Sequence, residues 1–318
     1  MIIAVDPDYA ERCVFAAVRG TPHEADYARA FAARFDQPAP TGREDAFRAL
    51  HETWFDRLGF RRQLLALVEE FAIISDSVQQ LTVSEGRGRS AVGMELYGAP
   101  PRYAVLATMP VGLWLDKNML TYWARFELTH VADLLDPAFG FDRTVGPSGA
   151  TAAAENLERD RYAVLWACSV DARLEKRYGP HSGVRERRNA EFARAFGLTE
   201  PADAAARLAE FWAACQAAAP SHTALVAWAR TGLPGGSGRC VHSTDSLNRP
   251  GEPCPICGFA THDWVEPAAL PPFIDPIRRD FPEWTPARGL CNRCAELYRA
   301  HEQIGVPADG GAAQQCPS

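Results

Sequence analysis

Lysine is almost missing from this sequence: Lys117 and Lys176 are the only two, and arginine supplies the rest of the 33 basic residues. Acidic residues number 40, which leaves a formal net charge of −7. A chain without a positive excess has no overall attraction for phosphate backbones, so nucleic-acid binding would need a local basic patch. The densest basic run, Arg185, Arg187 and Arg188, is interleaved with Glu186 and Glu191 and reads as a solvated helix face. Long apolar runs are missing as well. The most apolar stretch, Tyr103 to Leu115, is broken by Thr108, Pro110 and Gly112, and it is well short of the ~20 residues that span a bilayer. Met1 to Cys13 lack the basic start and apolar middle of a secretory signal. Together these absences lead us to expect a cytoplasmic protein with no membrane span and no nucleic-acid partner, whose partners are other proteins.

What is present is enough for one large or two ordinary domains: 318 residues, 47% of them hydrophobic. Apolar residues recur at helical spacing from Pro22 to about Val78, for example Phe47, Leu50, Trp54 and Leu58. Leu81 to Val83 and Ala91 to Leu96 read as a hairpin across a glycine-rich turn, with Tyr103 to Thr108 as a third strand. The glycines at 86, 88 and 93 resemble a phosphate loop only superficially, because no helix pattern follows them. Helices are expected over 118–135, ending before Asp136-Pro137, and over 152–178, 184–196 and 202–219. The fold class expected is therefore α+β, mainly helical with a small β-sheet. The Gly-, Pro- and Ser-rich stretch 233–253 reads as a linker between a domain of residues 1–232 and a small module of residues 254–303, with a tail at 304–318.

The module carries the strongest chemical signal. Of nine cysteines, four form two CxxC pairs, Cys254/Cys257 and Cys291/Cys294, with 33 residues between the pairs. In a cytosolic chain this favours metal over disulfides, the competing readings being a redox dithiol or free thiols. Two residues between cysteines let both thiolates face one ion from a tight turn, and two such turns supply the tetrahedral sulfur set that zinc prefers. Four thiolates also close the coordination shell, so the zinc is expected to be structural, in a zinc-ribbon or treble-clef-like module. Cys240 and His242 compete as ligands but lie in the linker. From Arg239 to Ser318 there are 7 arginines against 10 acidic residues, which argues against a nucleic-acid reader. Trp264, Phe273, Phe281 and Trp284 are expected to build the small core or dock it.

A second motif lies on the helix after Asn118: Phe126-Glu127-Leu128-Thr129-His130. Leu120, Trp123, Glu127, His130, Val131 and Leu134 fall on one stripe at steps of three and four, which turns Glu127 and His130 toward the core. There they either join an internal hydrogen-bond cluster or bind metal. A di-iron helical bundle would require two ExxH pairs, and only this one is found. The segment resembles the HExxH helix of zincin metallopeptidases, with Glu127 and His130 matching the general base and second histidine, and Phe126 standing where the first histidine belongs. The order of strands, motif helix and a following helix is similar to that family. The resemblance implies a zincin-like domain over about 75–180, with Asp171 and Glu175 as candidates for an acidic third ligand and a second metal at Glu127 and His130. Phenylalanine cannot ligate, so what is expected is a metallopeptidase-like protein that is degenerate or has an altered metal site, a pseudoenzyme if inactive and a metal-dependent hydrolase if active. The alternative is a non-enzymatic scaffold or protein-interaction protein stabilised by zinc.

Overall fold

A computed structural model describes residues 1–35, 40–86, 92–148, 152–233, 251–282 and 284–304. Most of the expected linker, with Cys240 and His242 in it, lies outside the described residues, as do Gly88 and the tail beyond residue 304. The chain divides into two compact units, Met1–Gly146 with Ala163–Val226, and Pro147–Tyr162 with Ala227–Ser318. The second unit thus takes in residues 147–162 and 227–232, which the sequence reading placed with the larger domain.

The fold is α+β and mainly helical. In the first unit, β1 (Ile2–Val5), β2 (Val78–Ser84), β3 (Gly93–Ala99) and β4 (Arg102–Thr108) form one sheet in the order β1-β2-β4-β3. The first three neighbours run parallel and β3 is an antiparallel edge. Ile3, Val5, Leu81, Val83, Val105 and Ala107 alternate with less buried neighbours, so each strand presents one apolar face. Helices α1 (Pro7–Val18) and α6 (Lys117–Leu135) complete the core with Tyr9, Cys13 and Val14, and with Leu120, Ala124, Leu128 and Val131.

The expected hairpin between 81–83 and 91–96 is not formed. The hairpin is β3–β4, turning at Pro100-Pro101 with Ala99 opposite Arg102, and β2 lies parallel to β4. The physical reason lies in the apolar residues. The parallel register sets Leu81 beside Val105 and Val83 beside Ala107, which joins four buried side chains into one stripe. In β3 only Met94 is buried, as suits an edge strand. β1 and α1 had no counterpart in the sequence pattern, although Asp6 caps α1 by accepting from the Tyr9 amide at 2.9 Å and Pro7 opens it.

The expected helical layer comprises α2 (Glu24–Ala32), α3 (Pro40–Arg57), α4 (Phe60–Val68) and α5 (Ala72–Ser77). Leu50 and Trp54 are buried there, and Phe47 and Leu58 pack against them. Asp116 starts α6 by accepting from the Asn118 and Met119 amides at 3.0 Å each, and the helix stops ahead of Pro137. Next come α7 (Ala152–Tyr178), α8 (Val184–Phe196), α9 (Pro201–Ala217) and α10 (His222–Thr231). Among the described residues no helix is long and apolar enough to cross a membrane.

In the second unit, β5 (Glu252–Pro253) pairs with β6 (Ala260–Thr261), followed by α11 (Ile274–Asp280) and α12 (Asn292–Ile304). Val265, Leu270, Phe273, Ile277, Trp284 and Leu290 pack with Cys254, Cys291 and Cys294. Phe273 and Trp284 are core residues and Trp264 lies at the margin, but Phe281 is exposed.

Candidate metal centre

The two CxxC turns are built differently. The first follows β5, where the Cys254 amide donates to the Phe259 carbonyl at 2.9 Å and the Gly258 amide donates back to the Cys254 carbonyl at 2.8 Å. Gly258 has φ 72°, a left-handed conformation that a residue with a Cβ adopts at a cost. The second turn opens α12, and there the Cys294 amide donates to the Cys291 sulfur at 3.4 Å. Backbone bonds from Val265 to Leu290 (2.8 Å) and from Asn292 to Asp263 (3.0 Å) tie the segment after the first turn to the start of the second.

This brings the four sulfurs together. Cys254 Sγ lies 3.9 Å from Cys294 Sγ, and Cys257 Sγ lies 3.9 Å from Cys291 Sγ. All four ligand atoms fall within 4.8 Å of one another. A tetrahedron with metal–sulfur bonds of about 2.3 Å has sulfur–sulfur edges of about 3.8 Å. The spacing is that of a single shared ion and is too long for a disulfide. Burial pushes the Cys254 thiol up, but amides of Cys257, Cys291 and Ile256 outweigh it and bring it down to about 7. For Cys291 and Cys294 burial, joined by the neighbouring sulfurs, prevails and raises both thiols. A cation among the sulfurs would offset that cost of forming thiolates.

Elsewhere in the described residues, no other group of three or more His, Cys, Asp or Glu ligand atoms lies within 4.8 Å of one another. Glu127, His130, Asp171 and Glu175 therefore do not gather as a metal cage. Glu127 Oε2 accepts from the Met94 amide of β3 at 3.1 Å. Burial pushes this carboxyl up to about 7, against the lowering effect of that amide and of Arg188. His130 Nδ1 donates to the Phe126 carbonyl at 3.1 Å, and its ring meets the Phe126 and Trp166 rings edge-on at 4.6 and 4.7 Å. Burial pushes the imidazole down to about 4, so it is neutral at pH 7.

The acidic candidates are taken by cations of the chain itself. Arg188 Nε donates to Asp171 Oδ2 at 2.7 Å, and the Tyr122 hydroxyl donates to Oδ1 at 2.9 Å. Burial pushes the Asp171 carboxyl up, and the Arg188 guanidinium and Tyr122 hydroxyl oppose that push. Glu175 Oε1 lies 3.4 Å from Arg185 Nη2. A cavity of about 350 Å³ lined in part by Tyr122, Arg125, Asp171, Glu175, Tyr178 and His181 opens against this cluster.

The arginine run is thus not a plain solvated face. Arg185 is half exposed, but Arg187 donates to the Tyr122 hydroxyl at 2.7 Å and Arg188 is only 8% exposed. The signal was in the helix period: Val184, Arg188, Phe192 and Phe196 are all buried on α8, which sets Arg188 in the apolar stripe. A second ion pair was also missed. Asp133 receives Arg173 Nη1 and Nη2 at 2.7 and 2.6 Å and the Trp166 indole at 2.7 Å, which clamps α6 to α7.

No protein-family model matches the chain, and no curated protein or solved structure matches it either.

Proposed function

We propose that this is a non-catalytic, metallopeptidase-like protein that holds one structural zinc through Cys254, Cys257, Cys291 and Cys294 and serves as a scaffold for protein partners. The observation that carries the reading is the contrast between its two candidate sites. Four sulfurs converge at tetrahedral spacing, whereas Phe126 offers no ligand atom and Asp171 is bonded to Arg188. A closed four-thiolate shell has no position for a reacting water, and a catalytic zinc normally takes three protein ligands. The net charge of −7 supports protein rather than nucleic-acid partners.

Metal analysis of the purified protein, paired with a peptide-hydrolysis assay, tests this. One zinc per chain, released by thiol modification, and no hydrolysis are expected. Two metals per chain, or hydrolysis abolished by Glu127→Gln, would mean that the helical site is a working metal centre.

A further inference from the structure

The cavity of about 350 Å³ beside Asp171 is lined by residues of α6, of α7 and of the segment 179–184 that leads into α8. Its buried lining is apolar at Leu174 and Val184, and the Tyr122 and His181 rings stack against each other in its wall at 4.3 Å. The two helices bring charges of opposite sign to this space. Some of these are already neutralised: Arg125 of α6 donates to both oxygens of Glu70 at 2.7 and 2.9 Å, and Asp171 of α7 is held by Arg188 at 2.7 Å. Lys117 and Glu175 are left. Among the described residues the Lys117 ammonium has no hydrogen bond or ion pair. Lys117 is also the first residue of α6, where the helix dipole opposes a cation, so helix stability does not account for it. Glu175 is held loosely, because Arg185 and Gln216 both reach the same oxygen, Oε1, at 3.4 Å, and Oε2 has no bond among the described residues.

Lys117 and Glu175 line one cavity and yet form no ion pair with each other, so the space keeps them apart. A single small molecule carrying both an anion and a cation satisfies the two at once. We propose that this cavity binds a free α-amino acid with an apolar side chain, its carboxylate on Lys117 and its ammonium on Glu175, with the side chain against Leu174 and Val184. A simple anion would leave Glu175 without a partner and face its charge, and a simple cation would do the same with Lys117. The size agrees, since about 350 Å³ lies at the small end of the range for ligand pockets. Asp171 and Arg125 take part only as paired, neutral walls, which leaves the choice of ligand to the two uncommitted groups. The proposal requires no metal and does not depend on the cysteine module.

The test titrates the full-length protein with the standard amino acids, one at a time, by calorimetry and thermal melting at pH 7. At least one with an apolar side chain should bind and raise Tm. Its N-acetyl form, which lacks the ammonium, and its carboxamide, which lacks the carboxylate, should each bind about tenfold more weakly or worse. The variants separate the two ends. Lys117→Met should weaken the parent amino acid and bind the carboxamide equally well. Glu175→Gln should weaken the parent and bind the N-acetyl form equally well. The proposal is overturned if no amino acid binds, if the wild type takes either derivative as tightly as the parent, or if both variants keep the wild-type preference. Circular dichroism checks that each variant is folded. Should Glu175→Gln not fold, Lys117→Met, at an exposed position, decides alone by whether it still prefers the parent to the carboxamide.

Discussion

Glu127 and His130 lie three residues apart on α6, and burial drives their titrations in opposite directions, which predicts an unusual dependence of stability on pH. Glu127 rises to about 7 in the folded chain from an ordinary 4.5. Between those values the unfolded chain has lost the proton and the folded chain keeps it, so stability falls as pH rises. His130 drops to about 4 from an ordinary 6.5. In that window the unfolded chain binds the extra proton, so stability falls as pH is lowered. Each shift of about 2.5 units is worth about 3 kcal/mol at its limit. The two slopes overlap between pH 4.5 and 6.5 and offset each other, giving a plateau in the wild type. Glu127→Gln keeps an oxygen for the Met94 amide and removes one slope. Its stability relative to wild type should therefore change little near pH 4 and increase by up to about 3 kcal/mol above pH 7.5. Urea unfolding followed by far-UV circular dichroism across pH 4 to 8 measures this. A difference between the two proteins that does not vary with pH would refute the reasoning, since it would mean that Glu127 titrates alike in both states.

Three further perturbations have defined outcomes. Arg188→Met leaves Asp171 buried and uncompensated and should cost about 3–5 kcal/mol, most of it recovered in Arg188→Met/Asp171→Leu, as a double-mutant denaturation cycle would show. Cys254→Ser should lower bound zinc and melt the second unit while leaving the first folded; domain-resolved proteolysis checks this, and cooperative loss of both would place the cysteine module within one folding unit. Tyr9→Phe removes the acceptor for the buried Trp114 indole, now at 2.8 Å, and should cost about 1–3 kcal/mol of thermal or urea stability.

The parts of this fold that were legible in the sequence are those fixed by local rules. α6 stops ahead of Pro137, as residue type alone indicates, and the pairing of each CxxC turn follows from its spacing. Strand pairing was not legible, because adjacency in the chain favours a hairpin between β2 and β3, while the register of Leu81 with Val105 depends on burial across the sheet. The same distinction runs through the buried polar residues of α6 and α7. The α6 stripe turned Glu127 and His130 inward, but the partner of Asp171 comes from α8, and a single sequence does not show which of three nearby arginines crosses between helices. Charge interleaving suggested solvent, while position in the apolar stripe decided for Arg188.

The bond from Met94 to Glu127 has a consequence for how the protein coexists with copies of itself. β3 is an edge, and an edge strand offers outward-facing amides to any extended chain that meets it. Here a helix side chain has claimed the Met94 amide, so an extended chain arriving at this edge finds that donor already bonded. Glu127 thus acts as a stopper on the ladder: a polar group costly to bury keeps a growing sheet from finding its next rung.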